Sequence, residues 1–554
     1  MSGATTTTEE ATQASWLPLI IVMLAQIQFS FNAFNVSISG ITRDLDIPPT
    51  AVGTAQTASN FAMAAFVLLG AKLGAKIGVR RAFQIGLVVT AMAAATIALS
   101  VNGTMLFVAQ AMNGVALAIS VPALTVMIAA NYHRRQQAQA IGFLATAIPL
   151  AQVISLLVAG WFASTIGWRW SFALVATIGA VNFLFIWRLA PVPPQKDLVI
   201  DGRGAVLSSV AIVLISVGFS GLNSWGLFRA SPDAPVNIAG MSPVPVLLIL
   251  GVMFSQAFFS WTRKRMNEHR PVLFSLKILE SPKDKATVVC MATMLFIGTA
   301  ISFLLPLYMQ VVQGFDGLET SFRIIPYTLS IVVANTLVAR VYDRFAPRQI
   351  ARVGFVGVTG ALTLLAFTIR NDWGQTSIVA GLVLLGLAQG CIVALVFNTL
   401  LSASPKKLAG DVAAWRALTH NISGSIGIAV GSAIAVAMLG SFAFRDVQAS
   451  PAIRESVVRE VNFDNVNFIT NTQLKEVLSR TSATPAEVAK GTLIFADARL
   501  RALKTTIMIL AALSMLAIVP AGRMPGFQTG DIPVGYPPDD DVDLDENELA
   551  ETTS

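Results

Sequence analysis

Gln28, Asn32 and Asn35 stand four and three residues apart, a spacing that lines three amides along one face of a helix. Gln26 precedes them, and Gln56, Asn60, Gln110, Asn113 and Gln152 recur in later apolar runs of the same half of the chain. An amide in apolar surroundings either bonds a neighbouring helix, typically worth about 0.6 kcal/mol, or faces a ligand. As a group these side chains suit a cavity that recognises a neutral or amphiphilic molecule by hydrogen bonds and dispersion. The second half supplies ionisable groups instead. Arg416 and His420 are one turn apart, and His420 falls about 16 Å along a run that begins near Ala409. A guanidinium at that depth must face protein or water. It either holds a structural pair with Asn398 or backbone carbonyls, or meets a substrate anion, with His420 as a proton switch. Its charge disfavours a second positive charge on the imidazole beside it. Arg323, nearer a run end, reads as a snorkelling side chain.

Acids are the missing chemistry. All 31 Asp and Glu fall in expected loops, helix ends or tails. Intramembrane carboxylates are common proton relays, so any proton binding is left to His420 or to edge acids such as Asp343 and Asp411. Cys290 and Cys391 lie in separate apolar runs with no CxxC or His/Cys cluster nearby, so no metal site or disulfide is expected. A GxxxxGK[ST] loop is absent, which argues against an ATP-driven pump, and no cofactor is implied.

The elements that must position these groups are membrane helices. Apolar residues make up 54% of 554 and charged ones 12%, far from a soluble composition. Fourteen apolar runs, from 16–39 to 505–522, are each long enough for a hydrocarbon core about 30 Å thick, where only helices satisfy the backbone. Lys and Arg number 23 in the short connections and C-terminal flank on one side, against four on the other: Arg43, Arg169, Arg229 and Arg370. That bias puts both termini in the cytoplasm, and the net charge of +7 then reports contact with an anionic leaflet, not nucleic acid. Residues 1–14 carry no basic n-region, so no cleaved signal is expected.

A short loop pattern occurs twice, as Ala71–Arg81 (AKLGAKIGVRR) and Ala339–Arg348 (ARVYDRFAPR). Such loops act as charged clasps on neighbouring helix ends, which marks Lys76, Arg80, Asp343, Arg344 and Arg348 as gating candidates. The repeat implies two six-helix halves, 16–190 and 286–522, joined by a 191–285 linker that carries two more spans. A 1–15 N-terminal tail, an extracytoplasmic insertion at 441–504 and an acidic, disordered 523–554 tail complete the plan. In the insertion, Ser450-Pro451 and Thr484-Pro-Ala-Glu487 read as helix starts, with Val457, Val461 and Phe468 on apolar faces. It is either a packed loop or a contact for a periplasmic partner. Gly386, Gly390, Gly427 and Gly431 have the spacing of close helix contacts.

These loops resemble the signature of the major facilitator superfamily. Asn35-Val-Ser-Ile, Trp168-Arg-Trp-Ser-Phe172, Asp201-Gly-Arg-Gly204, Gly221–Gly226, Tyr308–Gly314 and Gly424–Gly427 resemble its fourteen-span drug:proton antiporter branch. The likeness runs over nearly all of 16–522. It implies an all-α major facilitator fold and a secondary transporter, not an enzyme, working by alternating access in the inner membrane. Export of amphiphilic small molecules is the expected activity; uncoupled facilitation or import of a metabolite, and a non-transporting scaffold or receptor, are the alternatives. By the family's pattern an acid belongs near Ser30, Pro at Ser39, Asp at Ala75, Arg at Gln110 and Gly-Pro near Ser155-Leu156. The acid and the Arg carry proton exchange in that family, and this chain has neither there.

Overall fold

The structure, a computed structural model, describes residues 15–526 apart from 32, 133, 232–233, 238–239, 277–280, 343, 371–375, 403–408, 461–467 and 469–470. Helices dominate because the sequence gives almost every long segment an apolar run, and a backbone in lipid must bond to itself. Among the described residues twelve helices are long and apolar enough to cross a membrane, with Leu17–Ser30 and Leu150–Thr165 as shorter apolar helices.

The first half comprises α1 (Leu17–Ser30), α2 (Ile38–Leu45), α3 (Pro49–Ile77), α4 (Val79–Ala98), α5 (Gly103–Asn131), α6 (Arg134–Thr165) and α7 (Arg169–Phe185). Next come α8 (Gly202–Trp225) and α9 (Val244–Asn267), then α10 (Pro282–Leu307), α11 (Gly317–Tyr342), α12 (Pro347–Thr368), α13 (Thr376–Ser402) and α14 (Ala409–Gln448). Short α15 (Glu455–Glu460) and α16 (Asn471–Ser479) precede α17 (Pro485–Leu516) and α18 (Ile518–Ala521). The halves echo each other in packing: α3 lies against α5 as α11 lies against α13. The inserted pair packs on itself, and α8 also touches α3 and α14, so it covers the seam where the halves meet. There Ser209 Oγ donates to the Ala65 carbonyl at 2.8 Å.

Small residues let the helices approach. A Cβ added at Gly390 would lie 2.6 Å from the Ile331 carbonyl oxygen, and one at Gly431 would lie 3.0 Å from Ala300 Cβ, so this glycine spacing is used for packing.

The first apolar run differs from the helix its hydropathy suggests. The α-helix stops at Ser30, Phe31 is extended, Phe34–Val36 forms a 3₁₀ turn, and α2 begins at Ile38. Gln28 and Asn35 therefore do not share a helix face, and Asn32 lies outside the described residues. The break is held from the other half. Gln310, in a π-helical turn at Tyr308–Val312, donates from Nε2 to the Asn35 carbonyl at 2.6 Å. Its Oε1 accepts from the Ser39 amide at 3.3 Å. Those bonds replace intrahelical ones that 31–37 cannot make.

α14 is 40 residues long, about 60 Å, so it outruns a hydrocarbon core. Helical structure thus carries on past 441, and α17 already starts at Pro485, because hydropathy marks where lipid contact ends and not where a helix ends. No α-helix starts at Ser450-Pro451; a turn there leads to α15 at Glu455. Val457 is buried in α15, Phe468 is buried outside any helix, and Val461 lies outside the described residues. The predicted start at Thr484 is present: its side chain caps α17, and Glu487 reaches back to its backbone. Glu487 also accepts from Arg454 Nε at 2.9 Å and the Arg454 amide at 3.0 Å. One carboxylate thus ties the connection to the start of α17. Glu487→Gln is expected to speed deuterium uptake and protease cleavage in 449–484 with membrane insertion unchanged. Unaltered exchange in that segment would show that the ion pair organises nothing.

Candidate functional site

A cavity of about 390 Å³ opens where the halves meet. Its floor is the broken first run: Gln26, Gln28 and Ser30 from α1, with Phe31 and Phe34 beyond it. Gln56 and Asn60 of α3, Gln110 and Asn113 of α5 and Gln152 of α6 complete the amide wall, and Arg416 and His420 enter from α14. A neighbouring cavity of about 300 Å³ shares Gln56, Asn60, Gln152 and His420 and adds Asn35 and Tyr327. Apart from Asn32, and from Asn398, whose side chain is not described, the amides singled out in the sequence border one of these two spaces. Helix periodicity explains it: Gln56 and Asn60 are four apart, as are Arg416 and His420, so each pair shares a face.

The local chemistry varies along the wall. Gln26 Nε2 donates to Ser30 Oγ at 2.6 Å, and Asn113 Nδ2 lies 3.4 Å from Ser59 Oγ. Gln28 is 2% exposed, yet neither of its amide atoms has a partner; Asn35 Oδ1 and Gln56 Oε1 are likewise buried and unbonded. Buried polar atoms without partners cost about 1–3 kcal/mol each, and Gln28 borders the larger space, Asn35 the smaller and Gln56 both. Arg416 makes interactions of its own and remains exposed, as does His420. Among the described lining residues of both spaces there is no Asp or Glu.

Sequence reasoning missed several contributors. Tyr327 donates from Oη to Gln389 Oε1 at 2.6 Å at the second space, and a lone phenol in the apolar run of α11 was the available signal. Gln310 stood in a quoted motif, but its bond to Asn35 spans 275 residues and no local pattern shows it. Arg499, inside the 441–504 segment by sequence, is 1% exposed within α17 and donates to the Phe495 carbonyl at 3.3 Å, but it lines neither space.

The clasp residues are not brought to the cavity. Lys76, Arg344 and Arg348 are exposed at helix ends, and Asp343 lies outside the described residues. Arg80 donates to the Trp187 carbonyl at 3.2 Å and lies 5.2 Å from its ring, a contact within its own half. Arg323 covers the Phe315 ring at 3.8 Å, donates to the Glu319 carbonyl at 3.2 Å and is half-buried.

α6 and α11 join the halves at the end of the bundle remote from the start of α1, and α3 against α14 forms a second seam, with Val67 and Leu68 in one buried cluster with Leu400, Val412 and Trp415. Ser321 Oγ donates to the Leu156 carbonyl at 2.7 Å, and the Leu318 amide donates to Ser164 Oγ at 2.9 Å. Gly160 and Gly317 make this approach possible, since a Cβ on Gly160 would lie 2.7 Å from the Gly317 carbonyl oxygen. The Gln310 bonds to Asn35 and Ser39 belong to the same end.

The Major Facilitator Superfamily profile matches residues 19–428. The chain belongs to the Major Facilitator Superfamily. It is therefore an integral membrane transporter by family, and its similar proteins include drug and antibiotic resistance proteins and exporters. A "Probable actinorhodin transporter" of Streptomyces coelicolor is 23% identical over 447 residues, 78% of this chain and 74% of that protein. The "Methylenomycin A resistance protein" of Bacillus subtilis is 21% identical, over 77% of this chain and 89% of its own length. The "Putative multidrug resistance protein MdtD" of Escherichia fergusonii is 22% identical over 70% of this chain and 77% of its own. In fold the chain is similar to a bacterial homolog of the human lysosomal transporter Spinster, with a TM-score of 0.58 at 14% identity over 91% of this chain and 94% of that one.

Proposed function

We propose that this superfamily member is an inner-membrane exporter of amphiphilic small molecules that works by alternating access. Counting the broken first run and α6 as spans gives fourteen, with both termini cytoplasmic as the Lys/Arg bias requires. The observation that carries the reading is the amide- and aromatic-lined cavity between the halves, beneath the Gly160–Gly317 closure. Its apolar walls with a few convergent polar groups are the usual make-up of a small-molecule site. The resistance proteins among the relatives support export over uptake. The test is accumulation of a fluorescent amphiphile in cells with and without the chain. Lower steady-state accumulation, abolished by blocking the cavity with Asn60→Trp, is expected; higher accumulation would reverse the direction.

One observation favours a second reading, an uncoupled facilitator. No carboxylate is present among the described residues of the cavity wall, and the family's acid and Arg positions hold Ser30 and Gln110. Transport that only ever runs down the substrate gradient in vesicles would select it.

A further inference from the structure

We propose that the connection 271–276, between α9 and α10, is a strap that fastens α3 to α14. It sits at the end of the bundle opposite the Gly160–Gly317 contact and lets go of α3 whenever the halves part there. The inference rests on alternating access and needs neither the identity of the cargo nor its direction.

Burial is the first argument. Connections normally run over the surface, yet Leu273, Phe274, Ser275 and Leu276 are all buried. Leu273, Phe274 and Leu276 share one apolar cluster with Leu68 of α3, Leu400 of α13 and Trp415 of α14. A segment outside any α-helix thus fills a seam between the two halves.

The fastenings differ on the two sides. Phe274 packs edge-on against the Trp415 ring at 4.9 Å, and the Trp415 indole donates to the Ser275 carbonyl at 3.4 Å. The chain then runs on into α10, so the strap is continuous with the second half. On the first half, Lys72 near the end of α3 donates from Nζ to the Val272 carbonyl at 2.7 Å. An ammonium on a flexible four-carbon stem is strongly hydrated, so its bond to a neutral carbonyl exchanges readily for water. A buried aromatic pair has no such substitute. Release therefore falls on the α3 side.

The strap also adjoins the cavity. Met63 and Ala417 border the larger space and pack against the same apolar cluster. A molecule in that space would touch side chains that lean on the strap, which gives occupancy a mechanical route to the seam.

Hydrogen exchange in the full-length protein in lipid nanodiscs reads the strap directly. Lys72→Met keeps most of the stem and removes the donor, so the amides of 272–276 should exchange several-fold faster. Gly160→Leu should slow the same amides several-fold, because opening the far end of the bundle closes this one. A connection that is merely packed would not respond to a substitution at the opposite end. Unaltered strap exchange in a Gly160→Leu protein whose Ser164→Cys and Leu318→Cys no longer cross-link would overturn the inference.

Tethering is a second arm that does not depend on Gly160→Leu. In a Cys290→Ala, Cys391→Ala background, Lys72→Cys and Val272→Cys are joined by a bis-maleimide with a reducible spacer, and rhodamine 6G movement is followed in vesicles. That tether should slow movement by about tenfold or more, and dithiothreitol should restore it. The same reagent between Ser275→Cys and Trp415→Cys should change movement by less than about twofold. Full movement with the strap tied to α3, or equal arrest by both tethers, would overturn the inference. No dye movement before tethering would count against the export reading, and the exchange result alone would then decide the strap.

Discussion

Gly160→Leu is expected to remove transport, by about a hundredfold or more, while leaving a folded and inserted protein. The reason is local geometry. α6 and α11 meet through Gly160 and Gly317, and even a Cβ at Gly160 would lie 2.7 Å from the Gly317 carbonyl oxygen and collide with Ser321 Oγ. A leucine needs far more room than that, and the Gly317 carbonyl is backbone that cannot swing aside. The hydrogen bonds from Ser321 to Leu156 and from Leu318 to Ser164 would then be out of reach. The helix itself gains, since leucine is a better helix former than glycine by up to about 1 kcal/mol. The protein should therefore survive in the state in which this end stands open, and a carrier fixed in one state does not turn over. Cysteines at Ser164 and Leu318 report the outcome directly. They should cross-link in the parent protein and fail to do so with Gly160→Leu. Normal transport, or undiminished cross-linking, would mean that this contact is not a gate.

The second large effect is a gain. Transport by the parent protein should respond to an imposed pH gradient of about two units by less than about twofold, because no described cavity residue is a carboxylate that can carry a proton between sides. Ser30→Asp should create a response of at least about tenfold, since it returns an ionisable acid to the broken run of a proton-poor site. Ser30 is the last residue of α1 and borders the cavity with Arg416 opposite. The negative end of the α1 dipole opposes charge on an acid there, and the guanidinium favours it, so both protonation states are within reach. His420→Gln separates the remaining route: any response of the parent should vanish with it. A strong gradient response that persists in His420→Gln would place proton coupling outside this cavity and refute the argument from missing acids.

The gate and the cavity were legible to different degrees. Gly386, Gly390, Gly427 and Gly431 announced close packing by spacing alone, and the contacts at Gly390 and Gly431 have that character. The amides at Gln56, Asn60, Gln110, Asn113 and Gln152 announced polarity inside apolar runs, and they border the cavity because a polar group in lipid must turn toward protein or water. Gly160 and Gly317 gave no such notice. Their role depends on two helices that are remote in sequence and meet only in the folded chain.

What the sequence determined by itself follows from the solvent: an apolar run in a bilayer has to be helical, so the helical class and the many membrane-crossing helices are written in composition and period. What only the tertiary structure decided is where helices break and which ends meet. Nothing in 31–37, neither Pro nor Gly, signals the interruption of the first run. The interruption is stabilised by Gln310 bonding Asn35 and Ser39, an acceptor and a donor more than 270 residues away. Helix propensity is a local quantity, whereas replacing a lost backbone bond needs a partner that only the folded chain brings near.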